Sequence, residues 1–151
     1  MLAAPVAVLL AALLATVALA SAGTLKLGTR QSESLGKAVM VNPAGHTLYT
    51  LSTETSRHLL CKGGCLKLWP PLTVPSRARK LKAASGVKGK LGLVGRPGGV
   101  LQVTLAGRPV YRFRDDHAPG EAGGEGLELA GGVWHAVSAA SAGIAVSIVV
   151  V

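Results

Sequence analysis

Gly45-His-Thr-Leu48-Tyr49-Thr-Leu51-Ser-Thr-Glu54 is echoed by Gly107-Arg-Pro-Val110-Tyr111-Arg-Phe113-Arg-Asp-Asp116. The shared pattern is Gly-x-x-aliphatic-Tyr-x-apolar-x-x-acid, displaced by 62 residues throughout (45 to 107, 49 to 111, 54 to 116). The frame continues backwards, with Val39 and Val41 opposite Leu101 and Val103. It continues forwards to one Trp per copy, Trp69 and Trp134, after slightly different gaps. A frame held at several dissimilar residue types marks one supersecondary unit that was duplicated.

Each copy reads as strands around a turn. Ala38-Val-Met-Val41 is a short apolar run, Asn42-Pro43-Ala44-Gly45 is a turn signal, and Thr47-Leu-Tyr-Thr-Leu51 alternates as a strand does. Together they predict a hairpin. The second copy repeats it through Val100-Leu-Gln-Val-Thr-Leu105, the turn Ala106-Gly-Arg-Pro109 and Val110-Tyr-Arg-Phe113. A Pro just after the turn suits a strand start, where its missing N–H is tolerated. Leu91-Gly-Leu-Val94 is another strand, ended by Gly95-Arg-Pro-Gly-Gly99. Gly132-Val-Trp-His-Ala-Val137 supplies one more, with Val133, His135 and Val137 on one face and Trp134 and Ala136 on the other. Helix evidence is confined to one turn at Cys65-Leu-Lys-Leu-Trp69, stopped by Pro70-Pro71. The expectation is an all-β domain, a small sandwich or barrel built from two similar β-hairpin repeats sharing one core. Tyr49, Tyr111, Phe113, Trp69 and Trp134 should carry much of that core, because they are all the aromatics the chain has.

Residues 2–20 are uncharged and almost wholly Ala, Leu and Val, and Ala18-Leu-Ala20-Ser-Ala22 offers small-x-small cleavage sites after Ala20 or Ala22. That reads as a secretory signal peptide over 1–22, although no Lys or Arg precedes the run. The alternative is a retained anchor, since the run approaches the roughly 20 residues that span a bilayer. The rest divides into a polar spacer (23–36), a first repeat (37–75), a basic linker (76–91), a second repeat (92–138) and an apolar tail (139–151). Within that tail, Ile144 to Val151 reads as an edge or closing strand. One domain's worth of chain remains after the leader, so the two repeats must share their core.

The formal net charge is +9, and it is segregated. Arg77, Arg79, Lys80, Lys82, Lys88 and Lys90 crowd one segment, and Asp115, Asp116, Glu121, Glu125 and Glu128 crowd another. Excess positive charge favours anionic partners: an envelope polymer, a lipid surface or a protein. No nucleic acid is expected, because single-strand binders interleave aromatics with basic residues and residues 76–90 contain none.

The first copy runs from Gly45-x-x-Leu-Tyr49 through Cys61-Lys-Gly-Gly-Cys65 to Trp69-Pro-Pro-Leu72. The second runs Arg96-Pro-Gly-Gly-x-x-Gln102-Val, then Gly107-x-Pro-x-Tyr111-x-Phe113-x-x-Asp116, Pro119-Gly120, Gly124-x-Gly126 and Trp134. Over residues 37–138 this resembles the bacterial secreted repeat of unknown function, predicted exported proteins or lipoproteins bearing a Tyr-x-aromatic-x-x-Asp repeat. The resemblance implies an extracytoplasmic, duplicated domain and names no activity. Leu51 stands where the family favours an aromatic and Glu54 where it favours Asp, and the family's common lipid-attachment Cys is missing.

The chemistry-bearing residues allow structural and functional readings. Tyr49 and Glu54, like Tyr111 and Asp116, lie five apart across a strand end. The acid can accept the buried phenol O–H, or accept backbone N–H groups in the loop that follows. A catalytic Tyr/acid pair is disfavoured, since nothing nearby pairs a nucleophile with a base. Cys61 and Cys65, the only thiols, most simply form a disulfide in an exported chain. Alternatively, Cys61 and Cys65 with His58, and His46 as a fourth, form a redox pair or a soft site for copper or zinc. Residues 115–126 read as a solvated, Gly-rich acidic loop without calcium-loop spacing. The balance favours an exported, non-enzymatic binding or envelope-associated module with no cofactor. An extracytoplasmic redox or metal-handling protein is the alternative.

Overall fold

The computed structural model describes residues 23–75 and 80–140 of the 151. The leader, Arg77 and Arg79 of the basic segment, and the tail from residue 141 lie outside the described residues. In chain order the elements are β1 (Thr24–Lys26), β2 (Gly28–Ser32), β3 (Lys37–Val41), β4 (Leu48–Leu51), the single-turn α1 (Cys65–Leu68), β5 (Thr73–Val74), β6 (Lys80–Lys82), β7 (Leu91–Arg96), β8 (Val100–Leu105), β9 (Arg108–Pro109), β10 (Tyr111–Arg112), β11 (Glu128–Leu129) and β12 (Gly132–Ala136). The protein is all-β, and among the described residues no sheet closes into a barrel.

Two stretches read as connectors are strands. The polar spacer holds β1 and β2, and the basic linker holds β6, which pairs in parallel with β1. The spacer hides its strand because Thr29, Arg30 and Gln31 are all exposed, so no apolar alternation marks it. The first hairpin also differs from expectation. β3 makes its ladder with β2, from Gly28↔Val41 to Ser32↔Lys37, and meets the β4 side only at the bridge Val41↔Thr47. In the second half β8 ladders with β7 in the same antiparallel way, from Leu91↔Leu105 to Arg96↔Val100. The motif glycines at the following turns, Gly45 and Gly107, sit at φ 89° and 76°. That left-handed conformation strains residues with a Cβ, which explains why each copy opens on Gly.

The two copies interlock. β10 pairs antiparallel with β4, placing Tyr111 opposite Tyr49. On the other edge of β4 runs β12, with Trp134↔Leu51 and Ala136↔Tyr49. On the outer side of β10, Pro71 bridges Tyr111. The segment after each Trp therefore lies beside the tyrosine of the other copy. One step further the exchange repeats: Leu72 N–H donates to the Val110 carbonyl at 2.9 Å, and Val137 N–H to the Leu48 carbonyl at 2.8 Å.

Burial divides the interior into two clusters, each drawn from both copies. Val39, Val41, Tyr49, Leu51, Trp69, Tyr111 and Trp134 form an aromatic cluster drawn from both copies. Met40, Leu48, Val103, Leu105 and Val110 form a second, aliphatic cluster with Leu72 and Val74. Side chains alternate along a strand, so Val39/Val41 and Met40, like Tyr49/Leu51 and Leu48, point to opposite sides. Strands apolar on both faces need a layer on each. Phe113 is half-buried at the edge of the aromatic cluster.

Candidate functional site

The tyrosine–acid pairs are crossed. Tyr49 O–H donates to Asp116 Oδ2, and Tyr111 O–H donates to Glu54 Oε1 at 2.6 Å. Each phenol thus meets the acid of the other copy, not the acid five residues along its own chain. Each strand ends in a turn before its acid, closed by Glu54 N–H to the Leu51 carbonyl and Asp116 N–H to the Phe113 carbonyl, while antiparallel pairing sets Tyr111 directly opposite Tyr49. The acids also bind the loops that follow them. Glu54 Oε2 accepts the Leu60 and Cys61 N–H groups at 2.7 and 2.8 Å, and Asp116 Oδ1 accepts the Gly123 N–H at 2.8 Å. Both roles expected of the carboxylate are filled at once. Burial, reinforced by the carboxylate each one faces, pushes both phenols well above their ordinary value of 10.0. Burial also raises the Asp116 carboxyl, outweighing the hydrogen bonds from Tyr49 and Gly123 that favour its charged form.

Between the junctions the indoles of Trp69 and Trp134 stack with centroids 3.8 Å apart and planes within 5°. Tyr49 stands edge-on to Trp69 at 5.3 Å, and Tyr111 edge-on to Trp134 at 5.0 Å. Each such pair contributes about 0.5–1.5 kcal/mol beyond the area it buries. Gly124 passes so close that a Cβ would lie 2.6 Å from the Trp69 ring and 3.0 Å from Tyr49. Only glycine lets the Gly124 N–H reach the Tyr49 hydroxyl, at 3.3 Å.

Two residues of the Tyr111 junction escaped the functional reading of the sequence. Arg96 is buried and donates through Nε to Gln102 Oε1 at 2.6 Å, through Nη1 to the Cys61 carbonyl at 2.8 Å, and through Nη2 to the Tyr111 hydroxyl. Gln102 in turn donates to the Val110 carbonyl at 2.8 Å. Their signal was the Arg96-x5-Gln102 spacing across a Pro-Gly-Gly turn, which places them near one another on paired strands.

A groove of about 630 Å3 opens where the loop of the first copy meets the β7–β8 turn of the second. Arg57, Leu59, Lys62 and Leu66 line one side. Val94, Arg96, Pro97 and Val100 line the other. Its walls are mostly apolar, its charged residues are all cationic, and no carboxylate lines it. A counterpart of about 480 Å3 lies where the second loop meets the β2–β3 turn, lined by Arg30, Gln31, Glu33, Ala118, Pro119 and Glu121. Ser56, Arg57 and Leu59 of the first groove stand 62 residues before Ala118, Pro119 and Glu121 of the second. The duplication frame therefore relates the two grooves, and only one is apolar and cationic.

A family model described as "Secreted repeat of unknown function" matches residues 92–138, from β7 to just past β12. Over those residues, which hold the second copy, the chain is similar to that family. The resemblance expected over residues 37–138 is thereby supported over 92–138, and the description supports an extracytoplasmic location. No curated protein and no solved structure matches the chain.

In the first copy, Cys61 and Cys65 are joined in a disulfide, with Cα atoms 5.3 Å apart. Closing so short a loop contributes roughly 2 kcal/mol by chain-entropy arithmetic. Both thiols are thus occupied. His46, His58, Cys61 and Cys65 are not gathered into a metal-holding group, and no such group of His, Cys, Asp or Glu occurs among the described residues. The redox or soft-metal alternative retains only the disulfide in its support. The acidic loop of the second copy is pinned, not merely solvated. Glu121 accepts the His117 and Ala118 N–H groups, and Glu125 accepts the Ala136 N–H at 2.6 Å and faces His135 Nδ1 at 2.9 Å. Carboxylates compete well for backbone donors in turns, which is why this Gly-rich acidic stretch is ordered.

Proposed function

We propose that the chain is an exported, non-enzymatic binding module associated with the cell envelope, with anionic partners. The observation that carries this reading is the use made of the reactive side chains. Both phenols, both motif carboxylates and both thiols are spent on holding the copies and loops together. The remaining chemical signature is positive charge. Lys80, Lys82, Lys88 and Lys90 are exposed, and Lys26 lies opposite Lys82 in the β1–β6 pair. Such a surface attracts an anionic envelope polymer, lipid surface or acidic protein face through screened, long-range forces.

Two measurements test the reading. Flotation with vesicles containing anionic phospholipid should carry the protein at low ionic strength and release it on addition of salt. Absence of binding at low salt would sink the envelope association. Asp116→Asn should cost about 1–3 kcal/mol in unfolding free energy, because the Tyr49 donor and the Gly123 donor lose a charged acceptor. An unchanged melting temperature would instead point to a catalytic role for Asp116.

A further inference from the structure

The β7–β8 groove has the attributes of a small-molecule site. Its volume of about 630 Å3 is within the range of small-molecule pockets, and its apolar walls converge on a few polar groups. Arg96 is buried, yet no carboxylate lies within ion-pairing distance of it among the described residues. Its charge reaches Glu54 only through the Tyr111 hydroxyl. Three of its five N–H groups are used, one each from Nε, Nη1 and Nη2, so two remain. A buried guanidinium without a direct counter-ion is costly, and a planar fork matches the two oxygens of a carboxylate. Exposed Arg57 and Lys62 add two cations at the rim.

We propose that this groove binds a free alkyl carboxylate, one chain per protein. The chain lies against Leu59, Leu66, Val94 and Val100, and the carboxylate faces Arg57, Lys62 and Arg96. Val100, 42% exposed on the groove wall, is one of the few large apolar side chains left open to solvent. The frame-related groove is the internal contrast. At its equivalent positions it offers Pro119 and Glu121 in place of Arg57 and Leu59, and Glu33 on the opposite side. There two acids outnumber the one cation, Arg30, whereas the β7–β8 groove has three cations and no acid, so charge favours a carboxylate in one groove only.

This proposal rests on the binding-module reading but fails separately from it. Equilibrium dialysis of the full chain against dodecanoate, kept below its micelle concentration, should give saturable binding of one molecule per chain. Dodecanol and dodecyltrimethylammonium should bind about tenfold more weakly or less, having lost the charge-assisted contacts. The double variant Arg57→Glu/Lys62→Glu should weaken dodecanoate about tenfold or more with its melting temperature kept. Val100→Asp should abolish binding, and Glu33→Gln in the counterpart groove should leave it unchanged. Equal binding of dodecanol, or full dodecanoate affinity in the double variant, overturns the proposal. If the protein floats with anionic vesicles yet takes up no dodecanoate, the groove proposal falls alone. If dodecanoate binds and vesicles do not, the envelope association falls and the groove stands.

Discussion

At one junction the Tyr111 hydroxyl stands between Glu54 and the Arg96 guanidinium; at the other the Tyr49 hydroxyl stands between Asp116 and the Gly124 N–H. The plan is common: a phenol donates across the copies to a carboxylate and accepts from a donor on its far side. The donor differs in charge. Glu54 has a buried cation one hydroxyl away, and in exchange that hydroxyl is the link between two buried charges. Asp116 has no cation bonded to its phenol, and burial raises its pKa. Removing the hydroxyl should therefore hurt unequally. Tyr111→Phe strips a hydrogen bond from each of two buried charged groups, Glu54 and Arg96, together worth about 3–6 kcal/mol. Tyr49→Phe strips one donor from Asp116, worth about 1–3 kcal/mol. Urea unfolding of the two variants decides it, and equal losses would break the distinction between the junctions.

Alkaline pH strikes both junctions together. Each phenol has a folded pKa above its unfolded value of 10.0. The folded state therefore holds these protons more tightly. Their contribution is complete below about pH 10 and is lost as the pH rises from there towards the folded values. With two groups the slope approaches about 2.7 kcal/mol per pH unit. The chain contains only these two tyrosines, so phenolate absorbance reports nothing else. Both should ionise at the unfolding transition. A phenolate signal from folded protein near pH 10 would reveal one junction opening alone, and the Tyr49→Phe and Tyr111→Phe variants would say which.

The all-β class was legible from alternating apolar runs between Gly/Pro turns, and so were the β8 to Tyr111 strand order and the disulfide. What could not be read was which copy satisfies which. Spacing along a chain says that Tyr49 and Glu54 are neighbours in sequence, but antiparallel pairing of Tyr49 with Tyr111 decides that their hydrogen bonds cross. The β2 strand was hidden for a different reason. It is exposed at Thr29, Arg30 and Gln31, and strands without a buried face carry no period of two. Arg96 illustrates a third limit: a lone Arg beside Pro-Gly-Gly reads as a surface turn residue until the fold brings Cys61, Gln102 and Tyr111 around it. The groove was illegible for the same reason, since its two walls come from residues 56–66 and 94–100.

The smallest expected effect concerns the motif position where one copy is aliphatic and the other aromatic. Leu51 is fully buried beneath the aromatic cluster, whereas its counterpart Phe113 is half-buried, with its ring 4.8 Å from Trp69 and 6.3 Å from Tyr49. Neither side chain carries a hydrogen-bonding group, so exchanging them tests packing alone. Phe113→Leu makes the second copy resemble the first. It removes two aromatic contacts at the cluster edge but leaves the Tyr49–Asp116 bond and the indole stack in place. The cost should be about 1 kcal/mol, the scale of an aromatic pair beyond its area. It should also leave the alkaline transition where it is, because neither junction loses a partner. A loss as large as that of Tyr49→Phe, together with an earlier phenolate signal, would mean that Phe113 seals the Tyr49 junction against water. The aromatic preferred at that position would then belong to the hydrogen-bonded junction and not to the core.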